Sequence, residues 1–139
     1  MSTKWRASLV KLAGFEVEEL RKRLMAVLDR RAEAELKLTL LYAESEGEGR
    51  RLALDAEAGW YRLAYLEGWR ARRDGLKAEL VALAGEEAGA RDALARAFEE
   101  LKKYEQIQED ARIAAVKLQA KLETAELDEL GLRRAAAGR

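Results

Sequence analysis

The sequence predicts an all-α fold: a long antiparallel two-helix coiled-coil hairpin whose second helix is longer and overhangs the first. Three observations carry this. An apolar seven-residue repeat runs through nearly all of the 139 residues, no proline interrupts it, and it fades once, between Ser45 and Gly59, where Gly47, Gly49 and Gly59 lie close together. A heptad stripe sustained beyond about three or four repeats defines a coiled coil. A proline-free chain has nothing that forces a helix to stop, and clustered glycines mark the place where a turn costs least.

The first helix, expected over about residues 3–56, has Val10, Val17, Leu24, Arg31 and Leu38 at one seam position and Ala13, Leu20, Val27, Ala34 and Leu41 at the other. Ser2 or Thr3 would cap it, because a side-chain oxygen there accepts an otherwise unpaired backbone N–H. A turn is expected over about 57–61. The second helix, over about 62–132, carries Leu66, Arg73, Leu80, Glu87, Leu94, Leu101, Gln108, Ala115 and Leu122 at the first seam position. Its second position holds Trp69, Leu76, Leu83, Ala90, Ala97, Tyr104, Ala111, Leu118 and Ala125. The whole of 1–139 reads as one coiled-coil domain.

Two registers fit the seams. One sets Val27 against Leu94, Leu24 against Ala97, Leu20 against Leu101 and Val17 against Tyr104, large facing small or medium as a packed core requires; it centres the turn on Trp60 and Tyr61. The next centres it on Glu57. Both bring Arg31, the one charge in the first seam, within about a helical turn of Glu87. A part-buried Arg31–Glu87 contact that helps to fix register is therefore expected. With Val10 near Ala111, the second helix overhangs the hairpin at the end that carries both termini.

Composition bears on function. The charged fraction is 37%, and Lys plus Arg balances Asp plus Glu at 26 each. A neutral chain lacks the basic field that dominates nucleic-acid affinity, and Arg70, Arg72 and Arg73 read as helix-face charges. Cysteine and histidine are absent, which removes disulfides, thiol nucleophiles, most zinc sites and histidine acid–base catalysis. The carboxylates read as solvated or ion-paired residues, so no catalytic residue, cofactor or metal is expected. No stretch approaches the ~20 apolar residues of a membrane span. Met1 to Lys11 lacks the apolar core of a signal peptide, and the apolar stripe is too narrow for a membrane-surface helix. A cytoplasmic, non-enzymatic protein without direct membrane insertion is the expectation.

Two exposed features remain. Trp60, Tyr61, Tyr65 and Trp69 gather where the second helix begins, the last three on one helical stripe. They either plug the hairpin end or form a docking surface, a use for which large rigid rings are suited. Gly68, Gly75, Ala82 and Gly89 repeat on the outer face, where glycine weakens a helix. Close approach of another helix, a pliant shaft or tolerated drift would each account for them.

The run Trp5-Arg6-Ala7-Ser8-Leu9-Val10-Lys11-Leu12 through Phe15-Glu16-Val17-Glu18 resembles the start of the FliJ family, small coiled-coil proteins of the flagellar type III export apparatus. Phe98-Glu99-Glu100-Leu101-Lys102-Lys103-Tyr104-Glu105 and Glu126-Leu127-Asp128-Glu129-Leu130 resemble its C-terminal helix. The resemblance implies a stalk similar to the central subunit of rotary ATPases. Such a stalk would insert its terminal end into a hexameric flagellar export ATPase, contact the export-gate membrane protein and help to handle export chaperones, at the periphery of the membrane export apparatus. The ring-facing residues would be Lys4, Arg6, Lys11, Lys117, Lys121, Arg133 and Arg134. The gate-facing ones, early in the second helix, would be Trp60, Tyr61, Tyr65, Trp69 and Leu76. Two other readings stay open: the equivalent stalk of a virulence type III system, and a general structural coiled coil that oligomerises through the overhang.

Overall fold

The structure, a computed structural model, describes residues 3–54 and 59–138. Two helices account for them, α1 (Thr3–Leu54, 52 residues) and α2 (Gly59–Ala137, 79 residues), with no strand among the described residues. Two packed helices with the second longer is the architecture the heptads predict. The boundaries differ in detail. Gly59, Trp60 and Tyr61, expected in the turn, are already helical, and α2 runs past Leu132 to Ala137. Its last turn is closed by the Gly138 N–H, which donates to the Arg134 carbonyl at 3.0 Å, and Arg134 there complements the negative end of the helix dipole. Residues 55–58, with the rest of the expected turn and Glu57, lie outside the described residues, as does Ser2; Thr3 is the first residue of α1.

Where the heptads read as one domain, the contacts divide into two compact units, Met1–Val17 with Ala97–Arg139 and Glu18–Arg96. Pairing along a narrow seam is local, so each stretch touches chiefly its own level, as in repeat architectures.

In the unit Glu18–Arg96 the helices run antiparallel: Arg30 meets Glu86 and, further along α1, Glu44 meets Arg72 from an earlier turn of α2. Val27, Ala34 and Leu83 form the buried cluster, with Leu80 packed against it, and Leu24, Leu41, Trp69 and Ala90 are buried above and below. All are seam positions. Burying a leucine side chain contributes about 1.5–3 kcal/mol, so this stripe supplies the unit's cohesion.

The register is the second of the two, the one that centres on Glu57. Leu83 touches both Val27 and Ala34, which places it level with Arg31. The first register, with its turn at Trp60 and Tyr61, is excluded by the helical state of those residues, and the edge charges give the reason. In the register observed, the positions flanking the seam set Arg30 beside Glu86 and Glu44 beside Arg72. Sliding by one heptad would instead oppose Glu44 to Glu79 and Arg51 to Arg72, and like charges across an interface are destabilising.

In the other unit, Val17 and Ala97 are buried, while Val10, Ala13, Leu101, Tyr104 and Ala111 are half-buried. Ala111 is the last of this series. From Arg112 to Gly138 every residue of the chain is exposed, although the heptad continues through Ala115, Leu118, Leu122, Ala125 and Leu132.

Candidate functional surfaces

The aromatic group at the start of α2 separates into two halves. Trp60 and Tyr61 stand in solvent at 76% and 59% exposure, edge to face with ring centroids 4.6 Å apart. Trp69 is buried and holds the helix pair together. Its indole N–H donates to the Leu41 main-chain carbonyl of α1 at 3.0 Å, and its ring meets Tyr42 edge-on at 5.4 Å. The Arg73 guanidinium lies 5.3 Å from its centroid, within cation–π range. Tyr65 is between these states: its hydroxyl is buried without a hydrogen-bond partner among the described residues. Loss of solvent, then the Glu44 and Glu48 carboxylates, push its pKa above the ordinary phenol value. Leu76 is half-buried in a groove between the helices beside Leu40, Leu41 and Gly75, with Glu44 and Arg72 at its rim. The exposed apolar surface at this end is thus Trp60 and Tyr61, joined by Leu63.

Arg31 and Glu87, polar seam residues of α1 and α2, meet as expected. The Arg31 Nη1 donates to Glu87 at 2.7 Å, and its Nε donates to Glu35 at 3.1 Å. Glu87 also accepts from Arg91 at 2.9 Å, and its side chain is only 12% exposed. Hydrogen bonds from Arg91 and then Arg31 hold the Glu87 carboxyl below the usual glutamate range against the opposing effect of burial. Arg30–Glu86 and Glu44–Arg72 went unremarked in the sequence. Their signal was present, since all four residues immediately precede first-position seam sites in the heptad.

The cations assigned to the terminal end do not form one cluster. On α1, Lys4 is exposed, the Arg6 guanidinium lies over Trp5 and Lys11 over Phe15. Arg6 also lines a shallow groove with Glu105, Gln108 and Arg112 of α2. Lys117, Lys121, Arg133 and Arg134 follow along the exposed length of α2, interleaved with Glu123, Glu126, Asp128 and Glu129. Arg133 is bound to Glu129 at 2.8 Å, and nearby Arg112 holds Glu109 at 2.7 Å and lowers its pKa. Lys117 and Lys121 have no carboxylate partner among the described residues. The overhang is therefore a charge mosaic. It also carries a second apolar stripe that seam counting passed over, Ile113, Val116, Leu127 and Leu130, all exposed, set two residues before the seam and so on nearly the opposite face.

Nothing among the described residues gathers three or more potential metal ligands, and no helix there is long and apolar enough to cross a membrane. What the arrangement offers is surface: an exposed aromatic pair in one unit, and in the other an unoccupied seam edged by charges of both signs. No protein-family profile matches the chain, and no solved structure matches it. Two curated relatives, from two strains of Caulobacter vibrioides and each named Flagellar FliJ protein, are 48% identical to it over 136 residues, covering 98% of this chain and 98% of theirs.

Proposed function

The chain belongs to the FliJ family, and from that premise we propose that it is a non-enzymatic stalk and adaptor of the flagellar type III protein-export ATPase complex. In this reading it couples a hexameric ATPase ring to the export gate and to export chaperones, in the cytoplasm and peripheral to the membrane apparatus. The observation that carries it is the exposed seam of α2 from Arg112 to Ala137: an apolar helical face with none of the described residues of α1 upon it, edged by Lys121 and Arg133. A ring whose inner surface takes up that face would remove the apolar residues from water and engage the charges unequally around its axis. Unequal engagement biases the subunits toward different states, which is all a stalk needs to contribute to a catalytic cycle. Trp60 and Tyr61, exposed in the other unit, suit the contact with the gate. The relatives' flagellar name favours this over a virulence secretion stalk.

The test is hydrolysis by the cognate export ATPase, measured with ring assembly by light scattering, with and without this protein. Stimulated turnover accompanied by hexamer formation is expected, and charge reversal at Lys117 and Lys121 should reduce it. Turnover that is the same in the presence and absence of the protein overturns the reading. For the gate contact, W60A/Y61A should lose binding to the cytoplasmic domain of the gate while leaving ATPase stimulation intact.

A further inference from the structure

The open seam of α2 also fits another occupant. We infer that the overhang pairs antiparallel with the overhang of a second copy of this chain, in one register. This goes beyond the stalk reading and does not depend on it.

The geometry comes from the chain's own paired region. There the cross-helix ion pairs Arg30–Glu86 and Glu44–Arg72 join residues that each immediately precede a first-position seam site. Carrying the same heptad into the overhang puts Lys121, before Leu122, and Asp128, before Glu129, at that kind of position. Both are exposed and neither has an ion-pair partner among the described residues. In one antiparallel register, with its two-fold midpoint between Glu123 and Thr124, Lys121 of each copy faces Asp128 of the other, so the pair forms twice. Shifting by one heptad one way opposes Lys121 to Lys121; shifting the other way opposes Asp128 to Asp128. Across the favoured seam Leu122 packs on Ala125 of the second copy and Leu132 on Ala115, large against small. Arg112 faces Arg133 of the second copy at each end, and both are held by carboxylates of their own helix.

Length selects the same register. α1 covers the seam face of α2 only as far as Ala111, and α2 ends at Ala137. The midpoint between Glu123 and Thr124 lies close to the centre of that open stretch. The second copy's helix then fills the line of α1 and stops where α1 begins. A parallel pair would set Glu129 against Glu129 in the seam and bring two α1 helices to the same place. In the antiparallel pair Glu129 faces Leu118 of the second copy, which weakens the contact and makes the dimer dependent on concentration.

The experiment is sedimentation equilibrium of the full chain. Monomer–dimer exchange is expected for the wild type. K121D should weaken it about tenfold, because two symmetry-related pairs change from attraction to repulsion, and K121D/D128K should restore it. E129L should tighten it. Orientation is read from cysteines placed in the cysteine-free chain: an equal mixture of L122C and A125C should form disulfides between the two variants, whereas a parallel pair would link each variant to itself. A wild type and E129L that both stay monomeric, a double reversal no better than K121D alone, or self-linked cysteine variants would each overturn the proposal.

Discussion

Leu83 and Leu122 are seam leucines of the same helix, produced by the same heptad, with opposite surroundings. Leu83 is 1% exposed among Val27, Ala34 and Leu80; Leu122 is 53% exposed. Nothing in the local sequence separates them. What differs is whether α1 is long enough to reach their level, and α1 reaches only Ala111. A heptad stripe in one helix therefore states a capacity to pair, and the length of the neighbouring helix decides where that capacity is left for another molecule. The paired seam concerns stability and the open seam concerns recognition.

The largest effect that could break this contrast comes from truncating both leucines. L83A should cost about 2–5 kcal/mol of unfolding free energy by losing burial and opening a cavity. L122A should stay within about 0.5 kcal/mol for the isolated chain while weakening whatever association the overhang makes. Urea titration followed by circular dichroism separates the two, and comparable losses would show the overhang to be covered by its own chain. Next in size is the outer face. An added Cβ at Gly68, Gly75 or Gly89 would meet nothing within 4 Å, so replacing all three with alanine should stabilise by about 2–3 kcal/mol through helix propensity alone. Thermal melting measures this, and a destabilised triple variant would show that something packs on that face.

W69F sharpens the comparison at the other end of the paired seam. It keeps most of the ring packing but loses the hydrogen bond to the Leu41 carbonyl, so a cost of about 1 kcal/mol is expected, read as a lower urea midpoint. The smallest effect is electrostatic. Glu87 titrates below its usual range in the folded state, so its contribution is complete above the unfolded value and disappears as pH falls through the folded one. E87Q should therefore melt below the wild type at neutral pH, and the gap should close in acid. A gap that is the same at both pH values would mean that Glu87 acts by shape alone.

Much of this was legible because coiled-coil chemistry is periodic. The seam positions, the Arg31–Glu87 contact and the longer second helix follow from spacing, since an apolar stripe that narrow buries against one partner only. Register was less legible. Packing by residue size admitted two alignments, and the discriminating charges, Glu44 against Arg72 rather than Glu79, sit beside the seam rather than in it. The aromatic group was legible as a group but not in its roles, because its stripe enters the seam only at Trp69, and just the indole N–H of Trp69 reaches a main-chain acceptor. The start of α2 was less legible, because Gly59 reads as a helix breaker while the helix begins there.

The hydrogen bond from Trp69 to Leu41 joins residues 28 apart, whereas Arg31 and Glu87 are 56 apart. Each doubling of a closed loop adds about 0.6 kcal/mol of entropic cost, so refolding should nucleate at the indole and proceed toward the termini, each new layer enclosing a longer segment at small additional expense. With no proline in the chain, no slow isomerisation phase interrupts that order. A stopped-flow trace on a variant whose only tryptophan is Trp69 should accordingly report the first contact made, ahead of the helical signal as a whole.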